Sequence, residues 1–213
     1  YTFFGKKKTE PQLPDPQARR FDFGTPDGYD FYLKMGSLAN ANEKYLKNES
    51  SYWTDQVNHA TFDAYWKERE LSQYMKGVKP AVLTVGGWFD AEDLQGPLRL
   101  FRAIAKQSPE TDNRIVMGPW VHGGWSRNDG DRLGQVRFNA KTSEWYQENV
   151  EAPFFLHYLK GKGDMKLPRA TMFETGTNRW RRWEEWPPKQ VQNKSLYLRA
   201  NGSLSFDPPA DEN

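Results

Sequence analysis

Two residues able to do acid–base chemistry each follow a short apolar run and a glycine-containing turn within Val78–Trp125. The run Ala81–Val85 leads to Asp90, and the run Arg114–Met117 leads to His122. A carboxylate that orients an imidazole and stabilises its charged form is a known arrangement for general base catalysis. Either residue alone is typical of a structural role, but their matching positions predict an acid–base pair.

Two further carboxylates, Glu92 and Asp93, lie directly behind Asp90. One interpretation is an acidic first turn of the following helix, which the helix dipole favours. The other is a negatively charged cluster that attracts a cation, such as an ammonium group on a substrate. The chain has no cysteine and no second histidine at ligand spacing, so we predict neither a metal site nor a cofactor.

The segment between the two runs is amphipathic and predicts a helix over 95–106. Pro97 falls in the first helical turn, where its missing N–H is tolerated, and Leu98, Phe101 and Ile104 form an apolar stripe. A strand–helix–strand unit of this length implies two parallel strands joined by a right-handed crossover. Parallel strands present ligand groups at their carboxyl ends, so both candidate residues should meet at one sheet edge.

The chain before this unit is expected to form a helical cap region over 1–77. Prolines and glycines interrupt residues 1–28 too often for a long helix or strand. Residues 29–76 predict short helices, for which Ser37 and Thr61 are candidate capping residues.

The chain after His122 predicts one long helix over 142–160. Thr142 or Ser143 is expected to cap it, Pro153 to kink it, and Gly161 to end it. This helix completes an α/β core over 78–168.

Residues 169–213 contain short apolar segments separated by turn signals such as Asn201-Gly202, which predict the first strands of a β domain. The segment RWRRWEEW, residues 179–186, alternates arginine and tryptophan and is interpreted as a seam between packed domains. The fold class is therefore α/β with a helical cap region and a C-terminal β segment.

Composition excludes several classes of protein. The net charge of +2 argues against a nucleic-acid-binding role, and the absence of cysteine excludes disulfides and a cysteine nucleophile. No apolar run reaches the roughly 20 residues of a membrane span. Nine tryptophans favour apolar cores and pockets, and they keep open a non-catalytic, aromatic-rich binding module as an alternative.

A hydrolase with this acid and base would need a nucleophile, and no G-x-S-x-G motif is present. Ser37 follows one glycine but lacks the second, and it lies in a helical region. Either the nucleophilic serine lies upstream of Tyr1, or the protein is not a hydrolase.

The motifs VGGWFDAEDLQG and IVMGPWVHGGW resemble those of the α-amino-acid ester hydrolases and glutaryl-cephalosporin acylases. These belong to the X-Pro dipeptidyl-peptidase-like, or cocaine esterase-like, α/β-hydrolases. The resemblance extends over nearly the whole chain, through FDAYWKE to LYLRANGSLSF. It implies part of an α/β-hydrolase, containing its last parallel strands, a helical cap and the start of a C-terminal jelly roll.

By position, the resemblance makes Asp90 the triad acid and His122 the triad base. Glu92 and Asp93 match two members of a carboxylate cluster that holds the substrate's α-amino group in the ester hydrolases, which favours that branch. The family's nucleophilic serine, oxyanion-hole tyrosine and third cluster carboxylate would all precede Tyr1.

The expected function is therefore part of a serine hydrolase that cleaves esters or amides, or short peptides, by an acyl-enzyme mechanism. α-Amino acids or β-lactam side chains are the favoured substrates. A simple carboxylesterase or an X-Pro dipeptidyl-peptidase is the alternative within the superfamily. We expect the isolated chain to be inactive and to need the missing N-terminal part. A homo-oligomer is possible, and a periplasmic or secreted parent is favoured.

Overall fold

The structure is a computed structural model that describes residues 22–209. The chain divides into two compact units between Glu70 and Leu71. The irregular segment expected over 1–28 lies for most of its length outside the described residues. None of the helices within 22–209 combines the length and apolar character needed to cross a membrane.

Short helices form the first unit, and the second unit alternates strands and helices. The α-helices are α1 (Gly28–Met35), α2 (Ser51–Asn58), α3 (Ala64–Arg69), α4 (Gln95–Gln107), α5 (Gly124–Arg127), α6 (Thr142–Tyr146) and α7 (Ala152–Lys160). The strands are β1 (Val82–Gly87), β2 (Asn113–Gly118), β3 (Arg132–Leu133), β4 (Val136–Arg137), β5 (Ala170–Glu174), β6 (Arg179–Trp183), β7 (Tyr197–Leu198) and β8 (Leu204–Ser205). Single π-helical turns cover Asn42–Leu46 and Gln147–Glu151, and short 3₁₀ segments cover Leu71–Tyr74 and Ala200–Gly202.

The short helices expected before the α/β unit are present, but their starts differ from the prediction. Thr61 is not a helix cap, because the carboxylate of Asp63 accepts the N–H of Tyr65 and starts α3 two residues later. The first unit also ends earlier than residue 77, the end expected for the cap region. The segment Leu71–Tyr74 belongs to the second unit, in which the side chain of Gln107 donates to the carbonyl of Ser72.

The predicted strand–helix–strand unit is confirmed. Strands β1 and β2 are parallel, and their register pairs Val82 with Asn113 and Gly87 with Gly118. Helix α4 connects them, and its buried residues Phe101 and Ile104 belong to the predicted apolar stripe. The carboxyl ends of both strands therefore lie at the same sheet edge.

The boundary expected at residue 169 is wrong, because the next two strands extend the same sheet. The strand order is β1-β2-β5-β6, with β5 parallel to β2 and β6 antiparallel to β5. The arginine- and tryptophan-rich segment supplies the edge strand β6, and its Trp180 stacks on Trp145 of α6 with ring centroids 4.5 Å apart. It packs within the α/β unit, and the β7–β8 hairpin that follows it forms a separate small sheet, as does β3–β4.

Apolar residues cover both faces of the sheet. Phe101 of α4 packs with Ile115 and Met117 of β2, and with residues of β5, in one cluster. Val116 lies between Ile115 and Met117 in β2, and it belongs to a second cluster that contains Tyr146 of α6. Since alternate residues of a strand point to opposite faces, the sheet is packed on both sides.

The helix expected over 142–160 is present without a gap, but it is not α-helical throughout. A π-helical turn separates α6 from α7, and Pro153 follows it as the second residue of α7. Proline cannot donate to the carbonyl four residues earlier, and the widened turn precedes it. Gly161 ends the helix in the left-handed conformation, as predicted. Thr142 and Ser143 do not cap the helix with their side chains, because both hydroxyls are buried and bonded elsewhere.

Candidate active site

The loops that follow β1 and β2 are joined by backbone hydrogen bonds beyond the end of the sheet. The N–H of Trp88 donates to the carbonyl of Gly118 at 2.8 Å, and the N–H of Phe89 donates to the carbonyl of Trp120 at 3.1 Å. These bonds continue the strand pairing into the loops. Asp90 on the first loop and His122 on the second are therefore held at a defined separation.

Gly87 permits this close approach. A β-carbon at this position would lie 2.1 Å from the carbonyl oxygen of Trp120. That distance is far below van der Waals contact, and the obstructing atom belongs to the backbone. Any side chain at residue 87 would therefore push the two loops apart.

Asp90 and His122 meet at this edge. Nδ1 of His122 lies 2.9 Å from Oδ2 of Asp90, and the Asp90 side chain is 3% exposed. The other carboxylate oxygen, Oδ1, accepts the backbone N–H groups of Glu92 and Asp93, both at 2.8 Å. With three hydrogen-bonding contacts, the carboxylate is fixed in orientation although it is almost completely buried.

The carboxyl group of Asp90 stays ionised at lower pH than usual. Burial acts to raise its pKa, but the N–H groups of Asp93 and Glu92, together with His122, outweigh burial and hold the pKa below its ordinary value. A carboxylate that is charged at neutral pH favours the tautomer of His122 with a proton on Nδ1. The lone pair of Nε2 is then available to accept a proton.

The Nε2 side of His122 faces the second carboxylate. Oε2 of Glu92 lies 3.6 Å from Nε2, and the side chains of His122 and Glu92 are 49% and 64% exposed. Among residues 22–209, no hydroxyl group is hydrogen-bonded to Nε2. The imidazole is thus anchored on one side and open to an incoming group on the other.

Asp93 has a different environment from Glu92. Its Oδ1 accepts the N–H of Gly96 at 2.8 Å, at the start of α4. This matches the helix-start interpretation of the acidic cluster, whereas Glu92 points to the imidazole. The structure thus brings Asp90, His122 and Glu92 together, whereas the Asp93 carboxylate accepts an N–H in the first turn of α4. No group of three or more histidine, aspartate and glutamate side chains suited to a metal ion occurs within 22–209.

Trp120 is a component of the site that the sequence analysis missed. It is 3% exposed, and its carbonyl and indole bond to residues on two different segments. A usable signal is the tryptophan itself, because it stands only two residues after the end of β2 at Gly118 and two residues before the candidate base. Its hydrogen-bond partner Thr142 could not be identified from spacing, because 22 residues separate the two.

Comparisons with known proteins identify the family to which this chain belongs. A family model described as X-Pro dipeptidyl-peptidase (S15 family) matches residues 8–124, more than half of the chain. The sequence is 27% identical over 153 residues to cocaine esterase from Rhodococcus sp. (strain MB1 Bresler), a match that covers 70% of this chain and 25% of that protein.

Two solved structures are similar over most of the chain. An aminopeptidase from the marine sediment archaeon Thaumarchaeota archaeon has a TM-score of 0.80 and 33% identity, covering 86% of this chain and 30% of that one. A selenomethionine-labelled α-amino acid ester hydrolase has a TM-score of 0.79 and 30% identity, covering 87% and 32%. This chain therefore spans only about a quarter to a third of the length of these relatives.

Proposed function

The chain belongs to the X-Pro dipeptidyl-peptidase (S15) family, a family of hydrolases, and from this premise we propose that it supplies the acid and the base of a serine hydrolase. The resemblance inferred from the two turn motifs is thereby confirmed. The observation that carries the proposal is the 2.9 Å contact between the buried Asp90 and the half-exposed His122. Ester or amide bonds are the proposed targets.

In the proposed mechanism, Nε2 of His122 removes the proton of a serine hydroxyl as that oxygen attacks the substrate carbonyl. The imidazolium then donates this proton to the leaving alcohol or amine, and an acyl-enzyme remains. His122 next deprotonates a water molecule, whose oxygen attacks the acyl carbonyl. The imidazolium returns this proton to the serine oxygen as the acyl bond breaks, which releases the acid and restores the serine hydroxyl. Asp90 holds the imidazole in orientation and stabilises its charged form throughout.

The nucleophile is proposed to come from polypeptide outside the described residues. The absence of a hydroxyl at Nε2 within 22–209 supports this, together with the share of the relatives' length that this chain covers. The 213-residue chain alone is accordingly expected to show no turnover of an activated amino-acid ester, and measurable turnover would contradict this assignment. The start of a C-terminal jelly roll, expected over 169–213, stays a prediction, and β5 and β6 extend the α/β sheet.

An amino-bearing substrate is the favoured class. Glu92 places an exposed carboxylate beside the imidazole, and the exposed Asp93 is its neighbour in the chain, so that an α-ammonium group could be held there by charge-assisted hydrogen bonds. The names of both similar solved structures, an aminopeptidase and an α-amino acid ester hydrolase, refer to substrates of this kind. Glu92 is proposed as the principal contact, since Asp93 already accepts one hydrogen bond from the start of α4.

The test uses the full-length protein that carries this chain and two matched esters, one with a free α-amino group and one without. Glu92→Gln should raise KM for the amino ester about 10-fold or more, because a charge-assisted contact to the ammonium group is lost. KM for the ester without an amino group should change little. Asp93→Asn is expected to have the same selectivity with a smaller effect. Asp164→Asn, which alters a carboxylate that is 82% exposed, serves as the control.

Equal changes in KM for the two esters would reject the ammonium contact and favour a simple carboxylesterase. An unchanged kcat after removal of the Asp90 carboxylate would reject the catalytic pair itself. The two results separate substrate choice from reaction class.

A further inference from the structure

His122 lies at the middle of a short segment, Trp120–Gly124, which we call the histidine loop. The loop is closed internally by a hydrogen bond from the N–H of Gly124 to the carbonyl of Val121 at 2.8 Å. His122 itself is half-exposed, so its position depends on how the two ends of the loop are held.

Adjacent hydroxyl groups at the start of α6 hold both ends. The indole Nε1–H of Trp120 donates to Oγ1 of Thr142 at 2.9 Å, and Oγ of Ser143 donates to the carbonyl of Gly124 at 3.2 Å. Thr142 and Ser143 are each 0% exposed. Because water does not reach these groups, a lost hydrogen bond here would not be replaced by solvent.

The Thr142 hydroxyl has a fixed direction because it uses both of its hydrogen-bonding functions. It accepts from Trp120 and donates to the carbonyl of Gly130 at 2.8 Å. Gly130 has a positive φ of 76°, and a β-carbon there would lie 2.4 Å from the hydroxyl oxygens of both Thr142 and Ser143. The backbone of Gly130 therefore packs directly against the two hydroxyls.

These contacts are connected to the Asp90 side of the pair. The carbonyl of Trp120 accepts the N–H of Phe89, the residue that immediately precedes Asp90. A shift of Trp120 would therefore move one partner of the Asp90–His122 contact relative to the other. Neither hydroxyl caps α6, so helix capping does not explain why both are buried at this point.

We propose that Thr142 and Ser143 are positioning residues that hold His122 against Asp90 by clamping both ends of the histidine loop. The catalytic consequence rests on the proposed hydrolase function, but the clamp itself does not. Its direct effect is the geometry of the contact between Nδ1 of His122 and Oδ2 of Asp90, which can be measured without turnover.

The first experiment records ¹⁵N NMR spectra of the histidine rings in the 213-residue chain. Wild type is expected to show the Nδ1–H tautomer of His122, with a downfield, hydrogen-bonded proton. In the double variant Thr142→Val/Ser143→Ala, exchange of this proton with water should be about 10-fold faster or more, as expected for lost hydrogen bonds. Thr142→Val alone should also make this exchange faster. Thr142→Ser keeps a hydroxyl, and the proton in that variant should exchange as slowly as in wild type.

Two matched controls remove other buried hydroxyls that also donate to backbone carbonyls. Thr111 donates to Val78 and Ser108 to Met75, both before the start of β2 and so at the opposite sheet edge. Thr111→Val and Ser108→Ala should lower stability without changing the His122 proton. If the double clamp variant does not fold, Trp120→Phe provides the same test, because it removes the indole donor and keeps an aromatic ring.

A His122 signal that is unchanged in the clamp variants would overturn the proposal, as would a wild-type chain with no hydrogen-bonded Nδ1–H. In the full-length protein, the clamp variants should lower kcat about 10- to 100-fold with little change in KM, as expected for a misplaced base. A third outcome is that the clamp variants lose the slowly exchanging His122 proton while the wild-type full-length protein shows no hydrolytic activity. That result would support the clamp and reject the hydrolase function.

Discussion

Two histidine–aspartate pairs occur among the described residues, and their settings differ. In the first unit, Nδ1 of His59 lies 2.6 Å from Oδ2 of Asp63, one helical turn away in sequence. In the second, Nδ1 of His122 lies 2.9 Å from Oδ2 of Asp90, on the loop of a neighbouring strand. The first aspartate side chain is 38% exposed and the second is 3% exposed.

The surroundings of the imidazoles differ as well. His59 is stacked on the ring of Tyr65 at 4.4 Å, and its partner Asp63 also starts α3 by accepting an N–H. His122 instead presents Nε2 to Glu92. The same two side chains thus serve a local helix start in one unit and a candidate catalytic pair in the other. Because its partner carboxylate is buried and its Nε2 is accessible, His122 of the second pair is the candidate base.

The largest expected difference is in activity. In the full-length protein, Asp90→Asn should lower kcat by about 10³- to 10⁴-fold, because an amide no longer stabilises the required tautomer and the imidazolium. Asp63→Asn should change kcat less than twofold. Steady-state kinetics on both variants measure this, and similar losses in the two would remove the distinction between the pairs.

The second expected difference concerns the backbone contact that sets the distance between the loops. Gly87→Ala should lower the free energy of unfolding by about 1–3 kcal/mol, since the added carbon overpacks against the Trp120 carbonyl. Gly28→Ala is the control, because nothing lies within 4 Å of a β-carbon at the start of α1. Urea denaturation compares the two, and equal stability would show that the loops can separate at no cost.

Acid sensitivity gives a third, smaller effect. The pKa of Asp90 is lower in the folded chain than in the unfolded chain, where it is about 3.9. The ionised carboxylate therefore stabilises the fold at pH values above about 3.9. This stabilisation is lost as the pH falls through the lower, folded value. Asp90→Asn should therefore flatten the decline in stability below about pH 4, measured as the urea midpoint against pH. A decline as steep as that of wild type would contradict the role of Asp90.

The smallest effect is expected in the first unit. The hydrogen bond from His59 lowers the pKa of Asp63, and the N–H of Tyr65 also favours its charged form. Asp63→Ala removes the side chain that starts α3 and should reduce amide-exchange protection of that helix severalfold. Protection in the β1–β2 strands should stay unchanged. Loss of protection in both units would show that the local pair supports more than its own helix.

Much of the second unit was predictable because its signals are local and mutually consistent. Two apolar runs with an amphipathic segment between them predicted parallel strands, and that topology predicted that Asp90 and His122 would lie at one edge. The helical unit was harder, because several Ser, Thr and Asp residues there can each start a helix. Thr61 is one such candidate, but the competing Asp63 starts α3.

The domain boundary at residue 169 was wrong for a different reason. Short apolar strands look alike in sequence whether they open a β domain or extend an existing sheet. Pairing with β2, decided by buried residues such as Ala170 and Met172, assigned β5 to the α/β sheet.

The sequence by itself determined which residues could do acid–base chemistry, the parallel strands that carry them and the family motifs around them. Only the tertiary structure decided that Glu92 faces Nε2 while Asp93 starts a helix, and that Thr142 and Ser143 hold the histidine loop. The physical reason is that hydrogen-bond partners distant in sequence depend on packing, and local spacing contains no information about which buried groups will meet.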